Sequence, residues 1–359
     1  MRQGITGDHN LIENNVIGHC PEESIDITSG DYHVLRGNIC YGNGNPGIIV
    51  GHDSDHILIE NNICFGNRRA GIHVAGIEEE GARGHNTVVH NLVYENGYPG
   101  LEIQAPHTKV FNNTVVNSRK RVAVRITEKA TGSELRNNLI VTLDRDIYHP
   151  SLQFIRGTPT KFGVTLSHNL FFHVRKPDGR VLQTNEGNFT PTQFLAKYRT
   201  GQGNLVQRPR FRDETDLRFL LAPGSPGVDM GTDVGLPFKG RAPDVGWKEL
   251  GDEASAPPYP PFLIGDGEND EAEVLYLWGK TTAAPKKKRW VAPPVKPQAD
   301  DGAAVPMPEF DEALHWIEAY KRKPGLALHY VELARALAGD DAEKTARVER
   351  VAAAVGTRE

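Results

Sequence analysis

Three short segments of one pattern carry side chains that could do acid–base chemistry. A histidine, a glutamate and an arginine each lie between two aliphatic residues, in Ile72-His73-Val74, Leu101-Glu102-Ile103 and Val124-Arg125-Ile126. A histidine can remove a proton as a general base, and an arginine can neutralise a carboxylate of the substrate. We therefore treat His73, Glu102 and Arg125 as candidate catalytic residues, provided that the fold brings the three segments side by side.

The three segments belong to a longer repeat that is marked by asparagine. An asparagine followed by an apolar or β-branched pair recurs at intervals of 22 to 31 residues, with Asn, His or Gly directly before it and an aliphatic residue three positions before it. Seven residues fit this description: Asn15, Asn38, Asn62, Asn91, Asn113, Asn138 and Asn169.

Each repeat also contains a pair of aliphatic residues that alternate with other residues. In the first four repeats the pairs are Ile25/Ile27, Ile48/Val50, Ile72/Val74 and Leu101/Ile103, and Val124/Ile126 follows after an insertion. Alternation with a period of two indicates short, half-buried strands. No helical pattern separates them, which excludes alternating strands and helices. The repeat therefore predicts a coil of strands whose turns stack about 4.8 Å apart.

The recurrent asparagine and the Gly-Ile-x-Val strands resemble the right-handed parallel β-helix of pectate-lyase-like proteins. The resemblance covers roughly residues 5–175 and implies an all-β solenoid of about seven rungs. Residues 204–250, with the elements PGSPGVDMG and PDVGWKE, resemble the closing segment of bacterial secreted β-helix repeat proteins. We expect this segment to cap the open end of the coil, because a stack of strands must cover its last edge.

The chain divides into four predicted parts. The β-helix rungs occupy residues 1–203 and the closing segment residues 204–250. Residues 251–308 are rich in proline and predict an extended linker, and residues 309–359 have a helical pattern that predicts a small helical tail. The first repeat begins inside a rung, so we expect rungs to be missing before it. The tail is a candidate docking site for a protein partner.

Composition excludes several classes of function. The net charge is −5, so no positive field favours nucleic acid. No run approaches the roughly 18 apolar residues that a membrane helix needs. Three cysteines cannot form a disulfide framework, and no signal peptide is visible. The resemblance nevertheless implies an extracellular or periplasmic protein.

Two columns of outward residues follow from stacking the strands. The first column holds Asp26, Ile49, His73, Glu102 and Arg125. The second column holds Thr28, Gly51, Ala75, Gln104 and Thr127. From these columns and the polar turn His52-Asp53-Ser54-Asp55-His56 we select the following substrate-binding candidates: Asp26, Thr28, His52, Asp53, Gln104 and Thr127. The alternative interpretation of the first column is a charged ladder that stabilises an exposed sheet.

A further column contains four histidines and lies six residues before each asparagine. Its members are His9, Tyr32, His56, His85, His107 and Gly132. These are turn positions in a linear file, and metal ligands must converge, so we favour turn histidines over a metal site here. Ca²⁺ remains a candidate cofactor because pectate-lyase-like families use acidic calcium ligands. No motif of those families matches this sequence, so none of their residue roles is transferred.

The expected function is therefore carbohydrate-active. We expect the protein to bind an acidic polysaccharide, such as a polyuronate, and favour cleavage by β-elimination. A non-catalytic β-helix module for glycan binding or scaffolding is the first alternative, and a glycoside hydrolase is the second. Asp26 and Glu102 lie three rungs apart, about 14 Å, which is too far for the carboxylate pair of an inverting glycosidase, at about 6.5–9.5 Å.

Overall fold

The computed structural model describes residues 7–76, 83–117, 122–143, 149–176, 178–212, 218–252, 331, 334–335, 338 and 341–353, without the side chain of His52. The predicted linker lies almost wholly outside these residues, as does most of the predicted helical tail. The chain forms two compact units, and the first comprises Met1–Asp233 and Phe238–Lys288. The second comprises Val234–Pro237 and Arg289–Glu359.

The first unit is a coil in which each turn contributes one strand to each of three sheets. The first sheet contains β1 (Leu11–Glu13), β4 (Val34–Arg36), β7 (Leu58–Glu60), β10 (Thr87–Val89), β13 (Lys109–Phe111), β16 (Glu134–Arg136) and β19 (Thr165–Ser167). The second sheet contains β2 (Val16–Gly18), β5 (Ile39–Tyr41), β8 (Ile63–Phe65), β11 (Leu92–Tyr94), β14 (Thr114–Asn117), β17 (Leu139–Thr142), β20 (Leu170–His173) and β23 (Leu205–Val206).

The third sheet contains β3 (Ile25–Asp31), β6 (Ile48–Asp55), β9 (Ile72–Val74), β12 (Leu101–Ile103), β15 (Val124–Ile126), β18 (Leu152–Phe154), β21 (Leu182–Thr184) and β22 (Gly187–Phe189). Neighbouring strands are parallel in the first two sheets, and in the third β22 runs antiparallel to β21. The described residues of this unit also form α1 (Pro159–Phe162) and α2 (Pro191–Tyr198). The predicted parallel β-helix is therefore confirmed.

The residue before each repeated asparagine makes the turn between the first and second sheets. Asn14, Asn61 and His90 have φ values of 54°, 55° and 54°, and Gly37 has 64°. This left-handed conformation is unfavourable for most residues, but Asn and His tolerate it better and Gly adopts it freely. The recurrence of Asn, His or Gly before the repeated asparagine is therefore a requirement of the backbone at this turn.

The repeated asparagines form a continuous buried ladder. From Asn38 onward, the Oδ1 of each accepts hydrogen bonds from the backbone N–H and the Nδ2 of the asparagine one turn earlier, at 2.8–3.0 Å from Asn62 to Asn91. Each Nδ2 from Asn38 to Asn169 also donates to the carbonyl of the aliphatic residue one turn before, as Asn91 does to Ile59 at 2.8 Å. The ladder continues to an eighth member, Asn204, which the sequence pattern did not reveal because its spacing is 35 residues.

The inside of the coil is an apolar core that runs through successive turns. Ile27, Leu35, Ile48 and Cys64 are fully buried there. Cys40 and Cys64 occupy matched positions of β5 and β8 and form part of this apolar core. The asparagine ladder and the apolar core together hold each strand of the third sheet in register with its neighbours. This register positions the candidate site.

The closing segment does not lie where the sequence suggested. The core at the end of the coil is covered by α2, whose Phe194 is fully buried with its ring 6.0 Å from that of Phe154. The closing segment instead lies along the outside of the second sheet at Phe211, 219–230 and 245–248. There Trp247 donates its backbone N–H to the Thr114 hydroxyl at 3.1 Å, and Lys248 donates to Asn61 at 3.1 Å.

The physical reason is that the second-sheet strands are apolar on both faces. Their outward residues include Phe65, Leu92 and Tyr94, which are buried against Trp247 and its neighbours. An apolar outer face needs a cover, and the described apolar residues of the closing segment provide it. The sequence pattern predicted a cap over the open end of the coil, because it could not indicate which uncovered surface the segment would take.

In the second unit, the described part of the predicted helical tail contains α3 (Ala342–Ala352). Asp341 caps its first turn by accepting the backbone N–H groups of Glu343 and Lys344 at 3.0 Å. Arg335 forms an ion pair with Glu349 at 2.9 Å, and Val348 is fully buried. The predicted role in docking a partner stays a prediction.

A buried histidine at the end of β20 gives a pH prediction. His173 donates from Nε2 to the carbonyl of His149 at 2.8 Å and accepts the N–H of Arg175 on Nδ1 at 3.1 Å. Burial lowers its pKa from 6.5 to about 4, so the folded protein keeps it neutral. Stability from this group is complete above pH 6.5 and is lost as the pH falls toward 4, because the unfolded chain takes up the proton first.

We expect wild type to lose about 2 kcal/mol of unfolding free energy through this group between pH 7.5 and pH 5. Urea unfolding of wild type and His173→Gln at several pH values measures it. The difference in unfolding free energy between wild type and His173→Gln should change by about 2 kcal/mol between pH 7.5 and pH 5, because all other groups titrate in both proteins. Parallel curves would contradict the assignment.

Candidate functional site

The predicted outward column lies on the third sheet with the expected register. His73 of β9 is the Cα partner of Glu102 in β12, and Glu102 is the partner of Arg125 in β15. The flanking aliphatic residues are buried, so the three polar side chains point away from the core. The structure therefore brings the three catalytic candidates side by side on successive turns.

Glu102 is the best-protected charged group of this column. It is only 7% exposed, and its Oε1 lies 3.5 Å from Nη1 of Arg125. The same oxygen accepts a hydrogen bond from Nε2 of Gln104 at 3.2 Å. A carboxylate this buried needs a partner of opposite charge, and Arg125 supplies it. The ion pair also limits the positions that the guanidinium can adopt.

Arg125 has a second partner, which the outward-column pattern did not select. Its guanidinium carbon lies 4.4 Å from the centre of the Tyr98 ring, and Nη1 donates to the Tyr98 hydroxyl at 2.5 Å. Tyr98 is in the turn before β12 and is half-buried. Stacking on an aromatic ring and pairing with a carboxylate together orient a guanidinium while part of it still faces outward.

The column extends beyond the three candidates in the direction of the last turn. Gln153 of β18 follows Arg125 in register, and Gln183 of β21 follows Gln153. Nε2 of Gln153 donates to Oε1 of Gln183 at 2.5 Å. Both glutamines lie beside aliphatic residues, in Leu152-Gln153-Phe154 and Leu182-Gln183-Thr184, so the same alternating pattern could have found them.

The other predicted substrate-binding residues surround this column at different distances. Asp26 is on β3, and the apolar Ile49 of β6 separates it from His73. Gln104 and Thr127 directly follow β12 and β15, whereas Thr28 lies three turns from Gln104, across Gly51 and Ala75.

The polar segment predicted as a turn, His52–His56, largely continues β6 as strand and does not join the column. Asp53 is well exposed, and its Oδ1 lies 3.3 Å from Nε of Arg83, which also pairs with Asp31. His52 lies within β6, and its side chain is outside the described part of the chain. His52 and Asp53 lie near the C-terminal end of β6, beyond the two outward columns. There the chain passes from the third sheet into the first sheet.

The column of histidines forms a stack of rings on the adjoining turn. Successive rings of His9, Tyr32, His56, His85 and His107 are 4.9–5.2 Å apart and nearly parallel. All five residues have φ between 51° and 58°, so they are turn residues, as expected. The stack was not predicted, and it follows from placing planar side chains one turn apart.

These features give residues 7–206 the fold of a right-handed parallel β-helix. The family model described as "Right handed beta helix region" matches residues 4–140, which contain the first five asparagines of the ladder and a sixth, Asn138, near the end. No curated protein matches the chain. Among the described residues, no helix is both long and apolar enough to cross a membrane.

Two solved structures from Azotobacter vinelandii resemble the chain. One is the A-module of mannuronan C-5 epimerase AlgE4, at 15% identity and a TM-score of 0.43, with 56% of each chain covered. The other is the A-module of mannuronan C-5 epimerase AlgE6, at 17% identity and a TM-score of 0.40, covering 57% of this chain and 55% of that one. The chain thus spans little more than half the length of either.

Proposed function

We propose that the outward face of the third sheet binds an acidic polysaccharide and cleaves it by β-elimination. The observation that carries this proposal is the in-register row of His73, Glu102 and Arg125, with Arg125 held on Tyr98. The two outer members are two turns apart, or about 9–10 Å between strands, so one sugar ring can lie over Glu102 and face both.

In this mechanism Arg125 neutralises the carboxylate of a uronate sugar, which makes the proton on the neighbouring carbon more acidic. His73 accepts that proton as the general base. The electron pair forms a carbon–carbon double bond, the bond to the glycosidic oxygen breaks, and the leaving oxygen takes a proton from solvent. Glu102 acts by orienting Arg125 through their ion pair, and Asp26, Thr28, Gln104 and Thr127 are proposed contacts for sugar hydroxyls.

Two further assignments belong to this proposal. Acidic polysaccharides are polymers of cell surfaces and surroundings, so we place the activity outside the cytoplasm. Ca²⁺ is the candidate cofactor, because a hard divalent cation binds carboxylate oxygens and could share the neutralising role of Arg125.

A binding module without catalysis is the second candidate function. It is favoured by the pairing of Arg125 with Glu102, which reduces the free positive charge available for catalysis. It is also favoured by Gln153 and Gln183, whose amides can bond sugar hydroxyls but cannot transfer protons at neutral pH. A glycoside hydrolase receives less support, because Asp26 and Glu102 lie three turns apart, about 14 Å between strands.

The test is incubation with a panel of polyuronates, with and without Ca²⁺, while the ultraviolet absorbance of the unsaturated product is recorded. We expect absorbance to rise for one polymer with wild type and to stay flat with Glu102→Ala. Glu134→Ala is the matched control, because Glu134 forms a similar ion pair with Arg136 on the first sheet, at 2.6 Å.

Each outcome separates the candidates. Absorbance that rises for wild type and Glu134→Ala but not for Glu102→Ala supports elimination at this face. Binding of a polyuronate without any new absorbance would overturn the lyase and favour the binding module. Equal activity of Glu102→Ala and wild type would place the chemistry elsewhere in the protein.

A further inference from the structure

The turn between the third and first sheets brings three metal-ligating side chains together. Oδ2 of Asp55 lies 3.2 Å from Nδ1 of His56, and Oδ1 of Asp55 lies 3.2 Å from Nδ1 of His85. Donor atoms of all three residues lie within 4.8 Å of one another. His56 and His85 come from successive turns of the coil, so the cluster exists only in the folded chain.

The backbone holds the carboxylate between the two imidazoles. Oδ1 of Asp55 accepts the N–H of His56 at 3.0 Å and the N–H of Gly84 at 2.9 Å. The two imidazole rings are stacked with their centres 5.0 Å apart, between Tyr32 and His107 in the same column. The ligand positions are therefore set by the fold, while the histidine side chains, 39% and 47% exposed, can still turn toward a common point.

The local charge favours a cation at this turn. Burial raises the pKa of Asp55, but the N–H of Gly84 and the nearby His56 and His85 lower it more, so the pKa is lowered overall. Asp31 and Asp53 add two more carboxylates close by, and Arg83 pairs with both. One arginine against three carboxylates leaves a negative field that attracts a divalent ion.

We propose that Asp55, His56 and His85 form a binding site for a divalent transition-metal ion of the Zn²⁺ type. Two imidazoles and one carboxylate are a donor set that zinc and its neighbours prefer. Donor atoms around a tetrahedral zinc ion are about 3.3 Å apart, given bonds of about 2.0–2.1 Å. The Nδ1 of each imidazole lies 3.2 Å from one oxygen of Asp55, Oδ2 for His56 and Oδ1 for His85. One donor atom from each of the three residues lies within 4.8 Å of the other two, and the exposed rings can rotate to bring these atoms closer.

This site is independent of the proposed lyase face. It joins the end of β6 to the segment that enters β10, next to Gly84 and His85. The repeat between Asn62 and Asn91 spans 29 residues, against 24 for the one before, so this segment follows an insertion. A bound ion would tie the end of the inserted segment to the preceding turn, with its remaining coordination positions open to water.

Isothermal titration of the full chain, without an affinity tag, with ZnCl₂ tests the proposal. We expect one ion per chain with micromolar or tighter affinity, and visible absorption bands of tetrahedral Co²⁺ when cobalt replaces zinc. Asp55→Asn and His85→Ala should each weaken binding at least 10-fold. Asp55→Asn keeps an oxygen that can accept the Gly84 N–H, so loss of binding in this variant cannot be attributed to a lost turn.

The matched control is His107→Ala, because His107 stacks on His85 in the same column but lies outside the three-residue cluster. We expect the zinc affinity of His107→Ala to stay within twofold of that of wild type. The proposal is overturned if wild type binds no zinc, or if His107→Ala weakens binding as much as His85→Ala, since the imidazoles would then act as an unspecific row.

Discussion

Removing both charges of the Glu102–Arg125 pair is expected to weaken binding of an acidic polysaccharide by about 100-fold or more, which corresponds to about 2.7 kcal/mol. A hydrogen bond to a charged group contributes about 1.5–3 kcal/mol, and we expect the guanidinium to make at least one such bond to a sugar carboxylate. The double variant Glu102→Gln, Arg125→Gln avoids leaving a buried charge without its partner, which Arg125→Ala alone would do.

The single variant Glu102→Gln separates binding from catalysis. It frees the guanidinium from its ion pair, so we expect binding to be kept or strengthened while turnover falls. The measurement is equilibrium binding to the polyuronate that the absorbance panel identifies. It compares the affinity of wild type with that of the double variant and with that of Glu102→Gln. If the double variant binds as tightly as wild type, Arg125 does not contact the polymer.

The chain contains a matched control for this experiment. Arg136 on the first sheet has the same kinds of partner, with Glu134 2.6 Å away and the Phe111 ring centre 6.0 Å away. The double variant Glu134→Gln, Arg136→Gln removes the same charges from another face. It should bind the polymer as wild type does, because an unspecific effect of net charge would be equal in the two double variants.

Replacing Asn91 by alanine is expected to lower the free energy of unfolding by about 3–5 kcal/mol. Its side chain accepts from the N–H and Nδ2 of Asn62 and donates to Ile59, Val89 and Asn113, all within 3.0 Å. Alanine would leave several of these buried groups without a partner, at about 1–3 kcal/mol for each. Urea unfolding followed by circular dichroism measures the change.

Asn15→Ala provides the control within the same ladder. Asn15 is exposed and makes only the donor contacts to Asn38 and Glu13 among the described residues, so water can replace its partners. We expect a loss of less than about 1 kcal/mol. Equal losses of unfolding free energy for Asn15→Ala and Asn91→Ala would show that burial does not increase the contribution of the ladder's hydrogen bonds to stability.

The repeat by itself determined the coil and the register of its strands. In a parallel coil each residue packs on its equivalent one turn away, so the spacing of Asn62 and Asn91 also predicts the pairing of His73 with Glu102. The same one-dimensional logic predicts a left-handed turn residue before each asparagine, because only Asn, His and Gly recur there.

Contacts that cross between turns at different positions were decided only by the tertiary structure. Tyr98 stacks on Arg125 although the two residues occupy different positions in their repeats. Asp55 meets the imidazole of its own turn and that of the next, which a linear file of histidines does not reveal. The depth of a side chain and the direction in which it turns depend on its neighbours in three dimensions.

The closing segment shows the same limit on a larger scale. Its likeness to closing segments predicted that it caps the open end of the β-helix, but Trp247 packs on the second sheet instead. Burial of apolar surface has no direction, so composition alone could not choose between the open end and the second sheet. That choice depended on which surface α2 already covered, a fact of tertiary structure.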